Sequence, residues 1–214
     1  MSTLASRRFQ ETAMNKTASN GQLDAEELLF LALQAMEQER DEDAISCLKR
    51  GLALEPKSGI LHHLLGAMYA QLGMIDRAID EMTEAVTHAP QLHMARFQLG
   101  LLHFTSTDVE AAEKVWEPLS QLPADNPLCL FRSGLMHLAR DEFALCVKEL
   151  RLGIERNTDH PSLNHDMRML ADMAEEAIAG GTASTEPAPP PVDAARHVLL
   201  SGYQGLSDDK KTKN

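Results

Sequence analysis

Apolar residues recur along this chain at spacings of three and four, the period of α-helices. Leu29, Leu33 and Met36, then Met94, Phe97, Leu101 and Phe104, then Leu128, Phe131, Leu135 and Leu138 make stripes of this kind. A longer period lies over the first. Displaced by 34 residues, the chain matches itself in residue class: Ala32, Gly66, Gly100 and Gly134 form one series, and Ala44, Ala78, Ala112 and Cys146 a second. Leu48, Met82, Trp116 and Leu150 form a third, Gly51 and Ala85 continue as Leu119 and Gly153, and Pro56 and Pro90 close the first two units.

These series predict paired helices in close contact. Gly66, Gly100 and Gly134 lack a Cβ and let a partner helix approach, Ala44, Ala78 and Ala112 do so from the other side, and the large third series fills the space between neighbours. A proline at the end of a unit stops its second helix. Leu, Met and Ala are abundant while aromatics make up 4% of the chain, which favours helices over strands.

Because several independent positions keep one register through four units, residues 25 to 158 resemble the tetratricopeptide repeat family, whose 34-residue motif is a helix-turn-helix. The resemblance implies an all-α fold, a right-handed α-solenoid with repeats at about 25–58, 59–92, 93–126 and 127–160. Pro118 falls inside the second helix of the third unit, where it removes an i to i−4 hydrogen bond, and the closing proline comes early, at 123. A kink or an early end is expected there. Asp125-Asn126-Pro127 then offers an N-cap followed by proline in the first turn of the next helix.

A solenoid exposes the apolar face of its last unit unless something covers it. Leu163, Met167, Leu170, Ala171, Ala174 and Ile178 form a helical stripe, with Asp166, Asp172, Glu175 and Glu176 mostly facing away. With Ser162 as N-cap and Gly180-Gly181 as stop, residues 162–179 are expected to form a capping helix. Residues 1–22 and the Pro-rich linker 180–196 are too polar to build a core. The tail, 197–214, is different, because Val198, Leu199, Leu200, Tyr203 and Leu206 are more apolar than a solvated tail requires. Extended, the linker reaches about 50 Å, enough to bring the tail back over the repeats.

The family resemblance also implies where function sits: the first helices of successive units line a concave groove that holds a peptide or helix of a partner. One subclass grips a C-terminal carboxylate with Lys, Asn, Asn, Lys and Arg. The matching positions here are Leu29, Leu33, Leu64, Met94 and Gln98, or one unit later His63, Ala67, Gln98, Leu128 and Arg132, so no such clamp is expected. The face instead carries Leu29, Leu33, Met94, Phe97, Leu101, Phe104, Phe131 and Leu135, which predicts an apolar groove. Each such side chain left in water forgoes roughly 1.5–3 kcal/mol of burial, so either tight superhelical curvature buries much of this face within the repeats themselves or a cover is expected. It would be a partner's apolar segment, a second copy of the chain, or the chain's own tail, with Val198, Leu199, Leu200 and Tyr203 as the docking segment.

Charge narrows the partners. The chain has 20 basic and 32 acidic side chains, a formal net charge of −12, and residues 23–179 hold 27 acidic against 13 basic. Nucleic-acid backbones and anionic membrane surfaces require clustered positive charge, so neither is an expected partner. Cys47, Cys129 and Cys146 are odd in number and form no C-x-x-C pair, as small core residues of a reducing compartment do. Arg7 and Arg8 are followed by no apolar run, and no stretch is long enough to span a membrane, so a cytoplasmic location is expected.

Nothing points to catalysis, a cofactor or a metal. His103 and His137 occupy the repeat position of Tyr69, His62 and His63 face different ways on a helix, and no phosphate loop or metal-binding motif appears. The expected function is a non-catalytic adaptor or scaffold. The alternative is a dedicated chaperone that shields one client's apolar segment, similar to the acidic repeat chaperones of type III secretion translocators.

Overall fold

The computed structural model describes residues 23–180. They form four helical hairpins and a longer final helix, with no strand among the described residues. The hairpins are α1 (Ala25–Glu37) with α2 (Asp41–Leu54), α3 (Gly59–Gln71) with α4 (Ile75–His88), α5 (His93–Thr105) with α6 (Val109–Trp116), and α7 (Pro127–Leu138) with α8 (Phe143–Arg156). The final helix, α9, spans Pro161–Gly180.

Helix starts follow local chemistry. The carboxylate of Asp24 accepts from the Glu27 amide at 2.9 Å while that of Glu27 accepts from the Asp24 amide at 2.9 Å, a reciprocal capping box that opens α1. Asn126 accepts from the Leu128 amide at 2.9 Å, and Pro127, which has no N–H to leave unpaired, begins α7. The third hairpin departs from the others as Pro118 dictates: α6 stops at Trp116 and the chain continues through a 3₁₀ turn, Glu117–Gln121.

Every first helix ends in the same way. The amides of Arg40, Met74, Asp108 and Glu142 reach back five residues to the carbonyls of Ala35, Tyr69, His103 and His137, at 2.8, 2.8, 3.0 and 2.9 Å. This is the 6→1 bond of a Schellman cap, which places the intervening residue in the left-handed region. Those residues are Glu39, Gly73, Thr107 and Asp141, with φ of 56, 72, 66 and 57°, again 34 positions apart.

The hairpins stack so that first helices form an inner layer and second helices an outer one. On α3, Leu61 and every residue from Leu64 to Ala70 are buried, whereas α4 buries only Ala78, Met82 and Ala85. An inner helix touches neighbours on several sides and must be apolar nearly all round; an outer helix needs one stripe. The glycine series sits at the crossing inside the second, third and fourth hairpins, with Ala32 at that position in the first. A Cβ at Gly66 would lie 2.9 Å from Cγ of Met82, at Gly100 2.1 Å from Nε1 of Trp116, and at Gly134 2.6 Å from Cδ2 of Leu150.

The last helix covers α8 with Leu163, Met167, Leu170, Ala171 and Ala174, all buried, and Arg151 ties the pair at the surface with contacts of 2.6 Å to Asp172 and 3.2 Å to Glu175. Two residues differ from expectation. Asp166 is buried, because it stands three residues after Leu163 and four before Leu170, inside the apolar face. Ile178 is 51% exposed: at 1.5 Å per residue the 20-residue α9 is about 9 Å longer than the 14-residue α8, and its last turn overhangs. The Ser162 side chain and Gly181 lie outside what is described.

Candidate interaction surface

The residues predicted to floor an open groove divide into two groups. Phe97, Leu101, Phe104, Phe131 and Leu135 are 0–5% exposed and belong to one buried cluster with Trp116, Leu119 and Leu150. The Phe97 ring stacks on Trp116 with centroids 5.7 Å apart, Phe131 lies 6.3 Å from Phe97, and Phe104 lies 6.0 Å from Trp116. Phe131 also packs where Gly153 has no side chain, since a Cβ there would lie 2.5 Å from its Cε1. These five are therefore core residues in the third and fourth hairpins. The single Trp of the chain and the short α6 draw the large rings inward.

Leu29, Leu33 and Met94 keep the predicted character, half-buried against the core with one side toward solvent. Beside them stand two residues that are more open, Phe30 at 53% and Ile60 at 51% exposure. Phe30 was not among the predicted groove residues. It shares a repeat position with Leu64, Gln98 and Arg132, of which Leu64 and Gln98 are buried, so its repeat position alone gave no sign of its exposure. The tail residues Val198, Leu199, Leu200 and Tyr203 lie outside the described residues.

Leu29, Ile60 and Leu61 line a shallow cleft of about 340 Å³ between the starts of α1 and α3, with Asp24, Glu26, Glu55 and Ser58 at its edge. The floor is aliphatic and the charged rim is acidic, a combination suited to an apolar side chain flanked by cationic groups. Farther along the inner layer, His63 contacts the Gln98 side chain at 2.6 Å, and burial pushes its imidazole below the ordinary value against the opposing effect of that hydrogen bond. Apolar and polar groups thus share the inner helices.

The histidines predicted to replace a core aromatic sit differently from Tyr69. The Tyr69 ring is buried and lies 5.7 Å from Lys49 Nζ and 5.6 Å from the Arg77 guanidinium. His137 instead turns to Glu142 at 2.5 Å across the hairpin turn. Cys146 is fully buried, and desolvation pushes its thiol up to about 12, while Cys129 is raised by burial against the attraction of Arg132. Its Sγ lies 3.0 Å from the Leu119 carbonyl. Neither thiol has the lowered pKa of a nucleophile.

No helix among the described residues is long and apolar enough to cross a membrane. No family model and no curated protein matches the chain. Among solved structures it is similar to MamA, residues 41 to the end, from Desulfovibrio magneticus RS-1, with a TM-score of 0.54 at 15% sequence identity, over 73% of this chain and 92% of that one. MamA is a tetratricopeptide-repeat protein, and at this identity the likeness concerns the fold. Together with the 34-residue recurrence of glycine crossings and left-handed turns, it makes the described region an all-α solenoid of tetratricopeptide-type hairpins.

Proposed function

We propose that this protein is a non-catalytic interaction scaffold that takes an apolar segment of a protein partner on the inner helices of its first two or three hairpins. The observation that carries the reading is the pairing of Phe30 and Ile60, each about half exposed, with half-buried Leu29, Leu33 and Met94. Isolated exposed apolar residues need no explanation, but here Ile60 and Met94 share one repeat position on consecutive inner helices, and Leu29, Phe30 and Leu33 fall together on the helix before them. The acidic rim of Asp24, Glu26 and Glu55 favours a segment with basic residues beside its apolar anchor. The C-terminal tail, through Val198, Leu199, Leu200 and Tyr203, is a second docking element, either for the same surface or for another protein.

Capture from native lysate tests this with three baits: the intact chain, residues 1–181, and a Phe30→Ser, Ile60→Ser double variant. Both substituted side chains are half in water, so the double variant keeps its helical circular dichroism. Proteins lost with it are partners of the inner surface, and those lost with the truncation are partners of the tail. If all three baits recover the same set, the apolar-surface reading is wrong. A chaperone role would require a single client that aggregates without this protein.

A further inference from the structure

The second hairpin brings His62 to a histidine and a carboxylate, His88 and Glu84, that lie more than twenty residues later in the sequence. α3 and α4 run antiparallel, and their ends meet so closely that a Cβ at Gly59 would lie 2.5 Å from that of Ala89. His62, one turn into α3, therefore faces His88, in the last turn of α4, with ring centroids 5.9 Å apart. Glu84 stands one helical turn before His88, and its carboxylate is 3.2 Å from His88 Nε2. One ring nitrogen from each histidine and one Glu84 oxygen all lie within 4.8 Å of one another.

We propose that His62, Glu84 and His88 form a binding site for one divalent transition-metal ion of the kind that imidazole selects, with zinc as the representative. Donors held about 2.0–2.2 Å from zinc in a tetrahedron stand about 3.3–3.6 Å apart. At 3.2 Å the Glu84–His88 pair falls just short of this spacing, and the His62 ring closes the rest by a shift on the order of an ångström. Two imidazoles and one carboxylate suit zinc, copper or nickel, whereas calcium and magnesium call for oxygen donors alone.

The surroundings of His62 supply one outer partner for the site and one contact that the ion would displace. Its Nδ1 lies 2.7 Å from a Glu81 carboxylate oxygen and its Nε2 3.0 Å from the Pro56 carbonyl oxygen. Both neighbours only accept hydrogen bonds, and a neutral imidazole has one N–H to give. With Nδ1–H donating to Glu81, Nε2 must turn from the Pro56 carbonyl oxygen to reach the ion. A Glu81 carboxylate that receives the remaining N–H is the outer partner that metal-bound histidines characteristically have, and it fixes the ring's orientation. Three protein ligands leave a coordination position for water or for a donor from a bound partner. The ion would clamp α3 to α4 beside the 55–58 turn.

Calorimetric titration of zinc into the intact, chelator-treated chain decides the matter, alongside His62→Ala, His88→Ala, Glu84→Gln and, as a control, His93→Ala. The expected result is one equivalent of zinc bound by the wild type and by His93→Ala, a loss of about 100-fold or more in affinity for either histidine variant, and about tenfold for Glu84→Gln. Cobalt in place of zinc should give a spectrum without a thiolate charge-transfer band, since no cysteine is near. Should His62→Ala lose its helical dichroism, His88→Ala, on the more open helix, decides alone. The proposal is overturned if no saturable binding occurs, if uptake survives loss of His88, or if cobalt reports thiolate ligation.

Discussion

Gly100 and Trp116 occupy one another's space. A Cβ added at Gly100 would lie 2.1 Å from Nε1 of Trp116, whose indole N–H donates to the Phe97 carbonyl at 2.9 Å and so cannot swing aside without breaking that bond. A buried ring fixed by a hydrogen bond yields less than a flexible side chain. Gly100→Ala should therefore destabilise by about 2–3 kcal/mol, despite a helix-propensity gain of about 1 kcal/mol. At Gly51 the nearest atom is the Cδ1 of Leu61 at 3.0 Å, which can rotate away, so Gly51→Ala should be within about 1 kcal/mol of neutral. Urea melts of the two variants compare them; equal losses would show that the indole is not the rigid element.

The hairpin turns carry a cost that only one repeat avoids. Glu39, Thr107 and Asp141 take the left-handed conformation that Gly73 adopts freely. Thr107 is the worst suited, because a β-branched side chain crowds the following carbonyl there. Holding it costs about 1–2 kcal/mol, of which about 0.5–1 returns as unfolded-state entropy when glycine replaces it. Thr107→Gly should raise stability by about 0.5–1 kcal/mol, Asp141→Gly by less, and Gly73→Ala should lower it. A thermal melt that places Thr107→Gly below wild type would refute the argument.

The fold was legible because its period is written in residue size: the glycine series names one side of each helix crossing and the Leu48, Met82, Trp116 and Leu150 series names the other. The left-handed turns were not legible, since Glu39, Thr107 and Asp141 give no sign of φ > 0 and only Gly73 does. The candidate surface was read in part. Residues at one repeat position were assumed to share one environment, yet Leu29 is half-buried while Phe97 and Phe131 are fully so, because the third and fourth hairpins pack their rings around Trp116. The His62–His88 meeting was available in principle. Once Gly66 is set against Met82, the antiparallel register carries position 62 toward the end of the partner helix.

That difference in environment has a direct consequence for mutagenesis. Phe131 is fully buried against Phe97 and Gly153, so Phe131→Ala should cost about 3–5 kcal/mol, and Leu101→Glu with Phe131→Glu should abolish cooperative unfolding. With total stability of about 5–15 kcal/mol typical of a domain, the double substitution leaves no folded protein in which to measure binding. Phe30→Ser, by contrast, should change stability by under about 1 kcal/mol. Circular dichroism melts check both; a stable, helical Leu101→Glu, Phe131→Glu protein would return these residues to the groove.

Acid should weaken the junction between α8 and α9 through His160. Asn157 holds this corner, donating to the His160 carbonyl at 2.7 Å and accepting from its amide at 3.2 Å, while the imidazole Nδ1 is buried without a hydrogen-bond partner among the described residues. Burial pushes the His160 pKa below its ordinary value, and the Asp159 carboxylate opposes the shift. The folded state therefore takes up the proton less readily than the unfolded chain, whose histidines titrate near 6.5. The contribution of His160 is fully present above that value and is lost as pH falls from it toward the lowered folded value, because the unfolded state then binds more protons. His63, lowered in the same direction, adds to the loss. Urea melts at about pH 7.5 and about pH 5.5 should show the wild type weakening on acidification, with the His160 share below about 1.4 kcal/mol per pH unit. His160→Gln should lessen the decline without removing the part due to His63. An unchanged pH dependence in that variant would mean that His160 titrates alike in both states.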